Sequence, residues 1–210
     1  LPLLKKLWQG DCAHEGTYYS FPETTTAPKP AQTDGPPIWV AARDPNSHEF
    51  AVHNGFHVQV TPLWQGMEEI TTLMERFNAA CDSYAGKRPK IMLLHHTYVG
   101  ADAEDAAQAA QAFSRYYNYF GAWFQNKRPV RQGLIEEISA EDMAANKMMA
   151  PENMARDLTI GTAQDVIDRI KRYEDLGYDE YSFWIDSGMT TERKRASLAR
   201  FIDDVMPAFA

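Results

Sequence analysis

Apolar positions along this chain change their period several times, and each change predicts an element. Leu3, Leu4 and Leu7 recur at helical spacing and predict a short helix over residues 2–9. Gly16-Thr17-Tyr18-Tyr19-Ser20-Phe21 is rich in strand formers and predicts a strand. Pro22, Pro28, Pro30, Pro36 and Pro37 follow, and such a run reads as an extended surface connection, because proline removes backbone donors. From Ile38 short apolar runs alternate with amphipathic ones. Strands are predicted over 38–42, 56–60, 90–99 and 181–186. Helices are predicted from Asp44-Pro45 to Asn54-Gly55, over 67–84, from Asp102 to about Tyr119, from Thr162 to Gly177, and over 192–207. Asp44 and Asp102 read as N-caps, Thr162 with Asp165 as a capping box, and Gly177 as a C-terminal stop.

Residues 120–158 break this rhythm. They begin aromatic, continue rich in Met and Ala, show no strand pattern, and read as an insertion or lid within a single domain spanning 1–210. The alternation of strands and helices predicts an α/β fold with four parallel strands. Periodicity leaves open whether these form an open doubly wound sheet or half of a closed barrel.

Charge narrows the partners. The formal net charge is −8 and the pI about 5.2. An acidic surface with no basic stripe argues against a nucleic-acid partner. No window approaches the ~18 consecutive apolar residues of a membrane span. The lysines of the first ten residues precede no apolar run and cleavage site, so no signal peptide is expected. The chain does not begin with Met. Cys12 and Cys81 lie far apart at no metal or redox spacing. Two free thiols fit a cytoplasmic protein, and both read as packing residues.

Several stretches, in order, carry a resemblance. Leu7-Trp8, Gly16-Thr17-Tyr18-Tyr19 and Pro28-Lys29-Pro30-Ala31-Gln32 lead into Pro36-Pro37-Ile38-Trp39-Val40-Ala41-Ala42. Val58-Gln59-Val60-Thr61-Pro62-Leu63-Trp64 follows, then Ile160-Gly161-Thr162-Ala163, Leu176-Gly177-Tyr178-Asp179 and Val205-Met206-Pro207. Together they resemble the luciferase-like flavin-dependent monooxygenases over nearly the whole chain. Ala163 stands where that family usually has Pro. The resemblance implies the C-terminal half of a (β/α)₈ TIM barrel, with the family's first four strands, about 150 residues, preceding Leu1 in a complete barrel. It further implies reduced FMN, supplied by a separate reductase, which reacts with O2 so that a small organic substrate is oxygenated. A homodimer is also implied. A deazaflavin-dependent dehydrogenase and a non-catalytic barrel subunit that has lost its flavin are the alternatives.

Candidate chemistry concentrates at strand ends. Ala42, Arg43, Asp44 and Ser47 lie where a strand gives way to a helix, and a helix N-terminus suits a phosphate. By resemblance this turn holds the flavin phosphate, with Ser47 at a hydroxyl position of the motif. Asp44 departs from it, standing where Ser is frequent, and a carboxylate repels phosphate unless Arg43 compensates. Asp44 reads equally as an N-cap, and Arg43 as a surface ion-pair partner. His95 and His96 are candidate catalytic residues, and strand alternation turns one inward and one toward the helices. Each reads also as a hydrogen-bonded core histidine. No metal site is expected, since no ligand cluster accompanies them. Phe120, Trp123 and Phe124 are candidate substrate walls with Met148-Met149 as a flexible cover, or else packing or interface residues. Trp184 and Asp186 end the last strand toward the site mouth, where Asp186 reads equally as a cap. No nucleophile motif or phosphate loop is present, as fits an enzyme whose redox chemistry a cofactor supplies.

Overall fold

The computed structural model describes residues 1–186 and 188–210. Helix α1 (Pro2–Gln9) precedes a two-stranded antiparallel ribbon, β1 (Cys12–His14) and β2 (Phe21–Thr24). The strand expected over 16–21 therefore begins only at Phe21. Residues 16–20 are the connection, with Tyr18 and Tyr19 exposed. Strand propensity at Thr17–Tyr19 is overridden because no neighbouring strand stands ready to pair them. Pro22, expected in the extended connection, lies in β2 instead, at the edge of a two-stranded ribbon, and the rest of the proline-rich stretch runs without helix or strand to the sheet.

The sheet is built on one long strand. β3 (Trp39–Ala41) pairs with β4 (His57–Val60), which pairs with the start of β5 (Ile91–Val99), all parallel. Residues 92–96 of β5 then pair with β9 (Glu180–Trp184), and 97–99 pair with β8 (Thr159–Gly161). Five strands are thus parallel, not the four expected. The missed one, β8, is three residues long and ends in the Gly161-Thr162 step that opens a helix. A run that short carries no readable alternation.

The connections are α2 (Pro45–His53), α3 (Met67–Asp82), α4 (Ala103–Phe124), then α7 (Ala163–Leu176) and α8 (Thr191–Arg200). The tail continues as a π turn over 201–205 and a 3₁₀ turn over 206–209, a tighter and looser path than the single helix expected to 207. Asp44, Asp102 and Thr162 cap their helices through their side chains, Thr162 with Asp165 in a reciprocal box, and Gly177 adopts φ +103°.

Between α4 and β8 the insertion is more ordered than its sequence implies. A small hairpin, β6 (Val130–Arg131) and β7 (Leu134–Ile135), precedes α5 (Ala140–Ala145), a 3₁₀ turn over 147–149 and α6 (Pro151–Asp157). Two-residue strands with Gln132-Gly133 between them escape any periodicity test, and both turn residues have positive φ. The helix before it also runs five residues further than expected, so Phe120, Trp123 and Phe124 sit on the last turns of α4 rather than in a loop.

Two apolar cores follow from this layout. Ile91, Leu93, Val58 and Val60 point to one face of the sheet and pack under α3 and α7 against Leu73, Phe77, Val166 and their neighbours. The second core lies under α4, where Phe113 and Tyr117 meet Met154, Leu158 and Ile160. Arg169 of α7 ties α6 down. Its guanidinium donates to the carbonyls of Ala155 and Arg156 at 2.7 and 2.9 Å, and also to that of Leu158. These are carbonyls a helix end leaves without an internal partner. Arg169→Met keeps the stem and removes the bonds. The expected loss is about 2 kcal/mol in chemical denaturation, and a loss under about 0.5 kcal/mol would show that water replaces them without penalty.

Candidate active site at the mouth of the sheet

The residues at the C-terminal ends of β3, β4, β5 and β9 share one end of the sheet, and α4 lies across it. Alternation along β5 decides the fate of the two histidines. Odd positions point to the helices, and His95 does so. Its Nδ1 lies 2.9 Å from Thr159 Oγ1, and its ring packs edge-on to Tyr173 of α7. His96 points the other way. It stacks on Trp184 at 3.8 Å between centroids and 18° between planes. Phe113, Tyr116 and Tyr117 pack edge-on around it, and its Nδ1 is hydrogen-bonded to Tyr117 Oη.

Both histidines are fully buried. Burial pushes both pKa values down to about 3, for His95 with the nearby His96 and Arg169 adding to the shift. For His96 the backbone and charge of Asp186 oppose it. Burial likewise pushes the Tyr117 hydroxyl up. Both imidazoles are therefore neutral near pH 7. His96 is a neutral, buried ring on the mouth side of the sheet, under Trp184 and the α4 aromatics, whereas His95 belongs to the packing behind the sheet.

The aromatic wall is larger than the sequence indicated. Trp64, just beyond β4, lies 5.7 Å from Tyr117 and 6.3 Å from Phe120. Phe120 in turn stacks near-parallel to Tyr116 and Phe124. Of the three proposed walls, Phe120 and Trp123 line a cavity of about 420 Å³ with Arg115, Tyr116, Tyr119 and Ile135. Phe124 is largely exposed and lies outside that lining. Met148 is exposed, but Met149 is buried against α4, where its carbonyl accepts from Ser114 Oγ. Met149 is thus packing, not a flexible cover. Arg115, Tyr116, Tyr117 and Tyr119 lie inside the helix expected from Asp102 to about Tyr119, upstream of the aromatic stretch that the sequence singles out as walls. The spacing 112, 116, 119, 120, 123 within one helix held the signal.

Asp186 is joined to Lys194 Nζ at 2.7 Å, which ties the end of β9 to α8. The remaining candidates form the turn between β3 and α2. Ala42 is buried, and its N–H donates to Gln59 O at 3.0 Å. Asp44 caps α2: its carboxylate accepts from Ser47 N at 3.0 Å and from Ser47 Oγ at 2.6 Å. Those two bonds, side chain first, hold its carboxyl below the usual carboxylate range. Arg43 turns away from Asp44. It donates to Gln65 Oε1 and, at 3.0 Å, to Glu69 Oε1, while Arg76 donates to the Arg43 carbonyl at 2.6 Å.

This donor set provides a test of phosphate binding. The Asp44 carboxylate is itself an anion seated on the helix N-terminus, and the Ser47 N–H and hydroxyl are aimed at it. A phosphate oxygen can accept the same two bonds once that carboxylate rotates out, with the Asn46 N–H beside them. The residues fit a phosphate group, in competition with Asp44.

Known proteins match this chain closely. One relative, the oxygenase component of flavin-dependent trigonelline monooxygenase from Acinetobacter baylyi, is 58% identical over all of this chain. The chain spans 59% of that relative's length. Among solved structures, monooxygenase RslO1 from Streptomyces bottropensis superposes with a TM-score of 0.72 at 21% identity. That match covers all of this chain and 59% of the other. The oxygenating constituent of 3,6-diketocamphane monooxygenase from Pseudomonas putida, solved with FMN, gives 0.64 at 17% identity, covering 98% of this chain and 60% of that one. These likenesses show the fold, parallel strands and helices matching part of a luciferase-like barrel. Residues 1–180 match the luciferase-like monooxygenase family, and the chain belongs to it.

Proposed function

We propose that this chain serves a flavin-dependent monooxygenase as part of its oxygenase component, with reduced FMN as cofactor and O2 as co-substrate. The observation that carries the cofactor assignment is the anion seat at the head of α2, where Ser47 presents an N–H and a hydroxyl to a carboxylate. Ala42 and Arg43 shape that turn, and Ser47, Asn46 N–H and the α2 dipole would hold the phosphate. Reduced FMN supplies the electrons with which O2 is activated. The chain's own work is to hold a substrate at the mouth and keep water from it. Trp184, the neutral His96 and the aromatic face of α4 do this. The relative's designation as an oxygenase component supports delivery of reduced FMN by a separate reductase, and a homodimer is the further expectation from the family resemblance. That relative's substrate makes trigonelline the first compound to test.

The test compares FMN with riboflavin by fluorescence titration of the protein. Asp44→Ser retains a capping hydroxyl and removes the competing charge. FMN affinity should rise about tenfold while riboflavin affinity stays unchanged. Ser47→Glu should weaken FMN far more than riboflavin. Equal effects on both flavins would remove the phosphate role. No flavin binding up to about 50 µM would remove the cofactor assignment altogether.

A further inference from the structure

The small hairpin in the insertion has one face with nothing on it. β6 and β7 pair only with each other, Val130 opposite Ile135 and Arg131 opposite Leu134. A two-stranded ribbon this short is marginal in water unless something packs on it. Its base is anchored. Arg128 donates to the Asp142 carboxylate at 2.6 Å and to the Glu137 carbonyl, and Ile138 N donates to Tyr119 Oη. Residues opposite each other in an antiparallel ribbon point to the same face. Ile135 lines the cavity beside α4, so the Val130–Ile135 face is the inner one. Arg131 and Leu134 therefore point outward, and Leu134 is 74% exposed. Trp123 lines the same cavity as Ile135, and both Trp123 and Phe124 are more than half exposed on the last turn of α4. Large apolar side chains gathered on one surface mark a contact.

The charges around this face select its occupant. Lys127, Arg128 and Arg131 lie on the first arm of the hairpin, and no acidic residue occurs from Trp123 to Ile135. Glu136 and Glu137 follow on the second arm. Arg128 is engaged with Asp142, whereas Lys127, Arg131, Glu136 and Glu137 make no ion pair among the described residues. Glu136 N donates to Pro129 O at 3.4 Å, which continues the ladder. Alternation then puts Glu136 on the outward face with Leu134 and Arg131. That face carries a cation on one arm, and a leucine and an anion on the other. Such a face is complementary to itself. A two-fold axis running along the hairpin, between two of these faces, lays the first arm of each copy over the second arm of the other. Each Arg131 then comes within reach of the other copy's Glu136, and the two Leu134 side chains lie beside the axis. A partner of uniform charge would satisfy one arm and repel the other.

We propose that the outward face of this hairpin, flanked by Trp123 and Phe124, is the surface through which two copies of the chain associate. This rests on the homodimer reading above and names the surface that such a dimer uses.

Sedimentation equilibrium of the full-length protein provides the test. The wild type should dimerise. Leu134→Asp should raise the dissociation constant about 100-fold, because each dimer carries the change twice. Arg131→Glu and Glu136→Arg should each raise it about tenfold, and the two together should restore it. Circular dichroism should be unchanged in all four variants, since the altered side chains are exposed. A dimer indifferent to all four overturns the proposal and leaves the homodimer reading standing, with its contact elsewhere. Losses in the single charge variants without rescue in the double one overturn the reciprocal pairing and the two-fold stacking with it. A wild type that stays monomeric at about 100 µM overturns both readings. In that monomer, protection of Leu134→Cys from maleimide would assign the face to another part of the same chain, and ready labelling would leave it to solvent. Either result excludes the second copy.

Discussion

Between pH 7 and pH 5 the protein should lose about 4 kcal/mol of stability, and His95 and His96 should account for it. Both are fully buried, and both have pKa values pushed down to about 3 by that burial. In the unfolded chain a histidine titrates near 6.5. Below that pH the unfolded state takes up protons that the folded state refuses, so stability falls as pH falls and is regained above it. At pH 5 each residue contributes about 2 kcal/mol of that loss. His48, also lowered by burial, acts in the same direction. The lowered carboxylates Asp44, Asp105 and Asp165 do not contribute in this window. A group with a depressed carboxylate pKa loses its stabilising effect only as pH falls through and below about 4. Thermal denaturation should show the midpoint dropping by about 10 °C from pH 7 to pH 5. His96→Phe, which keeps an aromatic ring against Trp184, should remove close to half of the pH dependence. A midpoint that stays flat over that interval would mean that the rings are hydrated in solution.

Phe113→Ala should destabilise the protein by about 3–5 kcal/mol. The side chain is fully buried, and its ring lies 5.2 Å from His96 while its neighbours are Met154 and Leu158. Truncation leaves a cavity where α4, α6 and β8 meet, and three separate elements cannot collapse together to fill it. Phe113→Leu, closer in volume, should cost under about 1.5 kcal/mol. Chemical denaturation measures both losses. Hydrogen exchange should locate the Ala variant's added opening in α4 and α6, leaving α2 and α3 protected to the level of the new global stability. Exchange rising first in α2 and α3 would show that the two cores are one cooperative unit.

Local signals in the sequence were sufficient for much of the frame. Asp44, Asp102 and Thr162 cap the helices they were expected to cap, and Gly177 ends α7 in the left-handed region. Such features depend on a few adjacent residues, so they survive without knowledge of the rest. Alternation along β5 determined that His95 and His96 face opposite ways. It left undetermined which one looks into the mouth, because that depends on which face the helices cover. Ordered motifs identified the family, which no single motif does.

Other features were decided only by tertiary contact. β8 is a strand because Thr97–Val99 offers it an edge, not because three residues prefer to be extended. Residues 16–20 fail to be a strand for the opposite reason. Asp44 was legible as a cap and as an obstacle to phosphate. That its carboxylate occupies the anion seat itself, with Arg43 drawn away by Glu69, required side chains from β3, α2 and α3 to be brought together. The aromatic mouth arises in the same way. Trp64, His96, Tyr117 and Trp184 are scattered over more than half of the chain and share no spacing. Sequence fixes periodicity and caps through neighbours along the backbone. A site assembled from four strand ends and one crossing helix exists only once burial has chosen which faces meet.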